Sequence, residues 1–135
     1  MAYWLLKTEP TVYSYADLEK DKKTVWDGVS NNLALKHIRS MHKGDIVLIY
    51  HTGEEKALAG IAEVVSDPYP DPKHKDSKLA VVEVKPKERL GRLVTLSEIK
   101  AQSQLKDFEL VRLPRLSVMP VSESVWKHLL EMAKK

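Results

Sequence analysis

Cysteine is absent from the sequence. Its absence excludes a disulfide framework, a cysteine nucleophile and the thiolate ligands of structural zinc sites, and it fits a reducing compartment. Glycine is scarce. The 5 glycines of the 135 residues stand singly, so they cannot build a phosphate-cradling loop. Neither a G-x-S-x-G nucleophile elbow nor an H-E-x-x-H zinc motif occurs. Long apolar runs are missing too: the longest, Ile46-Val47-Leu48-Ile49-Tyr50, is far too short to span a bilayer. No basic stretch followed by an apolar segment marks a leader. These absences lead us to expect a cytoplasmic protein with no metal and no cofactor.

The composition is globular, with 43% hydrophobic and 30% charged residues. A length of 135 residues supplies one hydrophobic core, so residues 1–135 are expected to form a single domain. The net charge of +3 tolerates a phosphate polyanion without requiring one. Lysines alternate with aspartate in Lys20-Asp21-Lys22-Lys23 and around Lys73, Lys75, Asp76 and Lys78. Such mixed runs read as solvated loops.

Short strands and short helices alternate along the chain. Tyr3 to Lys7 reads as a strand stopped by Pro10, and Thr24 to Trp26 as a brief strand ended by a turn at Gly28. Ser14 with Asp17, and Thr95 with Glu98, have the spacing of capping boxes that open short helices. Leu33, Ala34, His37, Ile38 and Met41 recur at helical spacing, which predicts a helix over 31–41. Ile46 to His51, Leu58 to Val65 and Leu79 to Val84 read as strands. Asp67 to Pro72, with three prolines, reads as an exposed loop. Leu116 to Val121 reads as a strand broken by Pro120. Ser122 caps a last helix that buries Val125, Trp126, Leu129, Leu130 and Ala133. The pattern points to an α+β fold, a small curved β-barrel or sheet flanked by short helices. The helices are too short for a doubly wound parallel sheet.

Catalytic groups are sparse. His37 and His42 lie five residues apart and face different ways, so they read as an amphipathic-helix histidine and a loop histidine rather than a metal pair. His51, ending an apolar strand, could be a general base, a donor to a ligand or a satisfied strand-end residue. Asp27 could be a pocket carboxylate or could close the turn at Gly28. The aromatics are more informative. Trp4 and Trp26 sit on short strands that end in Lys7-Thr8-Glu9-Pro10 and Asp27-Gly28. A flat apolar face beside an ammonium, a hydroxyl and carboxylates suits a nucleobase. Trp4, in mid-strand, reads as core, and Trp26, beside Asp27, reads as the pocket wall.

Tyr3-Trp4-Leu5-Leu6-Lys7-Thr8-Glu9-Pro10, Trp26-Asp27-Gly28-Val29, Gly44-Asp45 leading to Tyr50-His51, Gly60-Ile61-Ala62 before Tyr69-Pro70-Asp71, and Pro114-Arg115-Leu116-Ser117-Val118 together resemble the EVE domain. The resemblance spans nearly the whole chain. It implies a PUA-like fold, a small β-barrel flanked by helices, related to the YTH and ASCH domains. It also implies a reader of a modified base, modified cytosine in DNA, with nucleic acid as the partner. Lys7-Thr8 followed by Val25-Trp26-Asp27 resembles the YTH pattern and makes Trp26 the cage wall. Thr8 and Glu9 would then meet the base edge, with Lys7 supporting them or touching a phosphate. Tyr69 would close the cage, and Asn31, His51 and Arg115 would line the same cleft. After Val29 the family usually carries two arginines and a tyrosine, where this chain has Ser30-Asn31-Asn32-Leu33-Ala34-Leu35. No phosphate clamp is therefore expected on that helix. Leu79 stands where family members often carry tryptophan. Three alternatives remain: an RNA-binding PUA-like module, a nucleoside amidohydrolase related to ASCH domains working through Lys7, Thr8 or Glu9, and an interaction domain holding a peptide or metabolite.

Overall fold

The computed structural model describes residues 2–73 and 78–134. Lys75 and Asp76 of the second charged run lie outside them. Strand β1 (Tyr3–Thr8) runs parallel to β3 (Ile46–His51), with Tyr3 opposite Ile46 and Thr8 opposite His51. Parallel neighbours need a crossover. Here it holds α1 (Tyr15–Asp21), β2 (Thr24–Trp26) and α2 (Asn32–Ser40). β4 (Ala57–Val64) pairs antiparallel with β3, and the long β6 (Ala80–Thr95) pairs antiparallel with β4. β7 (Val118–Val121) closes one edge against β1, and β2 closes the other against β6. The order β2-β6-β4-β3-β1-β7 is a mixed sheet curled into a half-barrel. Helices α3 (Leu96–Lys100), α4 (Glu109–Arg112) and α5 (Glu123–Ala133) accompany it. No helix among the described residues is long and apolar enough to cross a membrane.

The capping residues act as their spacing predicts. Ser14 and Asp17 bond reciprocally at the start of α1, and Thr95 and Glu98 do so at the start of α3. Arg92 also grips Glu98 at 2.6 Å, and this ion pair, helped by the Thr95 donors, holds the Glu98 carboxyl down at about 2. Ser122 accepts from the Val125 amide to cap α5. That helix buries Met132 with Trp126, Leu129 and Ala133, while Val125 and Leu130 are only half-buried.

Two expectations change. Asp67 to Pro72 is not wholly a loop: Tyr69 and Pro70 form β5, opposite Val81 and Ala80 of β6. Proline lacks only the donor. The Asp71 amide bonds Leu79 O at 2.8 Å, which by antiparallel alternation puts Pro70 where no N–H is needed. The strand expected to end at Val84 continues to Thr95. The stretch beyond Val84 is largely exposed, carries Lys85, Lys87, Glu88, Arg89 and Arg92, and contains Pro86 and Gly91. Pairing with β4 sustains it across two register shifts.

Trp4 is core, and its indole N–H donates to Asp45 Oδ2 at 2.9 Å. The same carboxylate receives the Ala2 amide at 3.0 Å and the His42 amide at 2.9 Å. Burial pushes this carboxyl up, but the donors from Ala2, Trp4 and His42 outweigh burial and leave it below its ordinary value of 3.8. A carboxyl lowered on folding adds stability above its unfolded pKa and loses it as pH falls through the folded one. Asp45→Ala strands three donors and is expected to cost roughly 3 kcal/mol in urea unfolding at neutral pH, with a smaller loss in acid. Gly60 of β4 makes room for the Tyr15 ring, whose hydroxyl donates to Ile61 O at 2.6 Å. A Cβ at Gly60 would collide with that ring. Gly60→Ala is expected to lower stability by about 1–3 kcal/mol in the same assay, the usual cost of overpacking.

Candidate functional site

β1 and β2 lie towards opposite edges of the sheet, and its curl brings residues of both around one hollow. Past β1 the amides of Val12 and Tyr13 both bond Glu9 O, a turn that doubles the chain back towards α1. Past β2 the backbone turns at Gly28 with φ +79°, a conformation that favours glycine. A hollow of about 400 Å³ lies between these turns. Lys7, Thr8, Trp26 and Asp27 line it, so four of the nine expected site residues meet there.

Trp26 is 8% exposed and belongs to the core cluster. It pairs across β6 with Val82, and Tyr13 stands edge-on to it with ring centroids 6.3 Å apart. The indole thus serves the core and the hollow together. Lys7 Nζ donates to Pro114 O at 2.8 Å and lies 5.7 Å from the Tyr50 ring centre, and burial lowers its pKa. The Thr8 hydroxyl donates to Tyr13 O at 2.6 Å, which leaves a ligand only its lone pairs. The Asp27 carboxylate is 3.4 Å from Lys73 Nζ. Lys73 is largely exposed and Asp27 partly so, so a ligand donor can replace the lysine at small cost.

The other five expected residues lie elsewhere. Glu9 accepts from the amide and hydroxyl of Thr11 and packs against Gly53, where an added Cβ would stand 2.6 Å from its carboxylate. His51 is buried. Its Nε2 accepts the Tyr15 amide at 2.9 Å, and its Nδ1 faces Glu55 Oε1 at 3.0 Å. That pairing puts the ring proton on Nδ1 and makes His51 a strand-end anchor for α1. Tyr69 lies opposite Val81, whereas Trp26 lies opposite Val82. Successive residues of a strand point to opposite faces, so Tyr69 and Trp26 sit on opposite faces of β6. The Tyr69 hydroxyl donates to Glu83. Asn31 caps α2, accepting from the Ala34 amide at 3.0 Å. Asn31 and Arg115 line a second hollow of about 360 Å³ with Leu33, Arg112 and Pro114.

Sequence reasoning missed Val12, Tyr13, Thr24 and Val25, which also line the first hollow. Val12 is 79% exposed and Val25 41%. The missed signal was an apolar residue in a turn, Val12, with no periodicity to carry it inward. Among the described residues no group of three or more His, Cys, Asp or Glu could hold a metal ion.

The model of the EVE domain family matches residues 2–132. A solved structure from Rhodopseudomonas palustris is 38% identical, with a TM-score of 0.94 over 99% of this chain and 94% of that one. Human thymocyte nuclear protein 1 is 27% identical over 168 residues, which span 99% of this chain and 75% of its own. A crystal structure of human THYN1 protein in complex with DNA containing 5-methylcytosine matches with a TM-score of 0.93 at 27% identity, over 100% of this chain and 99% of that one. The half-barrel with short helices is the fold of these proteins and is PUA-like, as the sequence motifs implied. The chain belongs to the EVE domain family.

Proposed function

We propose that the chain is a DNA-binding module that takes one modified cytosine into the hollow at Trp26. The observation that carries this reading is the hollow itself. A fixed aromatic wall of Trp26 and Tyr13 stands beside acceptor groups at two strand ends, with exposed valines on the lips. Aromatic contact with one base is worth roughly 1–3 kcal/mol. Cytosine presents an exocyclic amine as donor. The Asp27 carboxylate and the lone pairs of Thr8 are acceptors suited to it. Val12 offers apolar contact for a methyl substituent. A base in a duplex must leave its stack to enter, which costs a few kcal/mol and favours weakened or unpaired positions. The human relative's complex with 5-methylcytosine DNA supports the same ligand class. Lys7 and Thr8 each donate within the fold, which suits wall and acceptor roles better than attack on a bound nucleoside.

The test is fluorescence anisotropy with matched DNA strands carrying cytosine or 5-methylcytosine at one position, and an RNA strand as the third probe. Burial of one methyl group predicts roughly fourfold tighter binding of the modified strand. Asp27→Ala is expected to weaken binding about tenfold, the worth of one charge-assisted hydrogen bond. Because Trp26 is core, Trp26→Ala would also cost about 3–5 kcal/mol of stability, so Trp26→Phe is the informative change at that position. Equal affinity of the wild-type protein for plain and modified strands would sink the proposal.

A further inference from the structure

We propose that the second hollow is a subsite for the nucleotide next to the base held at Trp26, taking its phosphate on Arg112 and Arg115 and its sugar or base on Leu33 and Pro114. This rests on the base-reading proposal for the first hollow. Three observations support it.

The two hollows adjoin. Lys7 lines the first and donates at 2.8 Å to the carbonyl of Pro114, which lines the second. The backbone also passes from Gly28 in the first to Asn31 in the second within three residues. A strand with one base in the first hollow therefore carries its neighbouring nucleotide to this place or directly away from it.

The second observation is exposed apolar surface. Leu33 is 42% exposed although Ala34 and Leu35 beside it on α2 are buried. Among the described residues four large apolar side chains are exposed: Val12, Val25, Leu33 and Leu93. Three of the four border these two hollows, which is a grouping that folding does not require.

The third is charge. Arg89 and Arg92 each hold a glutamate at 2.6 Å. Arg112 and Arg115 form no ion pair among the described residues, and Arg112 Nε reaches only the Asp107 carbonyl at 3.4 Å. Two exposed guanidinium groups without a carboxylate, above an aliphatic floor, complement a phosphate joined to an apolar ring. A guanidinium grips two phosphate oxygens at once, which fixes the position of the strand as well as attracting it.

Isothermal titration of the full chain tests this with two probes: the nucleoside 5-methyl-2′-deoxycytidine, and a single-stranded trinucleotide with 5-methylcytosine at its centre. The trinucleotide is expected to bind the wild-type protein at least about tenfold more tightly than the nucleoside, the gain from one more stacked or apolar base contact. Leu33→Ser should remove most of that advantage and leave nucleoside binding unchanged. Arg112→Gln and Arg115→Gln should each lower the slope of log K against log salt by about 0.7, one phosphate contact on a single strand. An unchanged advantage and unchanged slopes in all three variants would overturn the subsite, as would a wild-type protein that gains nothing from the flanking nucleotides. If the arginine slopes fall but a control trinucleotide with plain cytosine at its centre binds as tightly, base reading fails, and the subsite fails with it as the neighbour of a read base. If neither probe binds, both fail.

Discussion

The Asp45 carboxylate ties the start of β1 to the turn before β3 through three donors. Ala2 enters β1, Trp4 lies within β1, and His42 opens the turn into β3. The Asp45 carbonyl also takes the Val64 amide at 2.8 Å, which adds the end of β4. The clamp matters because β1 and β3 are parallel, and no tight turn holds such a pair in register. Once Tyr3 is set against Ile46, Thr8 must fall against His51 at the other end. His51 then takes the Tyr15 amide, α1 starts there, and the Tyr15 ring fills the space above Gly60. The position of Lys7 and Thr8 in the hollow thus follows from a carboxylate at the opposite end of the same strands.

The hollow built this way uses its aromatics twice. Trp26 is packed against the sheet and still forms part of the hollow. A wall of that kind is rigid, because moving it would open the core. The hollow therefore presents a preset surface, with exposed groups near it in Val12, Val25 and the loosely paired Asp27 and Lys73. The same division holds next door, where Leu116 is buried and Leu33, Arg112 and Arg115 are exposed.

Much of this was legible in the residues. The capping boxes at Ser14 and Thr95 are short-range chemistry, complete within four residues, and both form. The apolar strands Tyr3–Thr8 and Ile46–His51 and the helix over Asn32–Ser40 carry their own periodicity. Trp4 in mid-strand is core as its position implied. The part of β6 beyond Val84 was not legible, because its charge-rich, proline-containing stretch becomes a strand only through its pairing with β4. β5 was hidden in the same way, since Pro70 needs a partner that requires no donor from it.

Among the candidate site residues the same distinction applies. Sequence by itself determined the family motifs, the local caps and the gathering of polar groups at strand ends, because these depend on neighbours a few residues apart. Only the tertiary structure decided which of them share a cavity. His51 faces an amide 36 positions away, Tyr69 falls on the opposite face of β6 from Trp26, and Asn31 and Arg115 meet in a hollow of their own. Such outcomes depend on strand register and sheet curl, which exist only when distant segments pair, and a one-residue change of register sends a side chain to the other face.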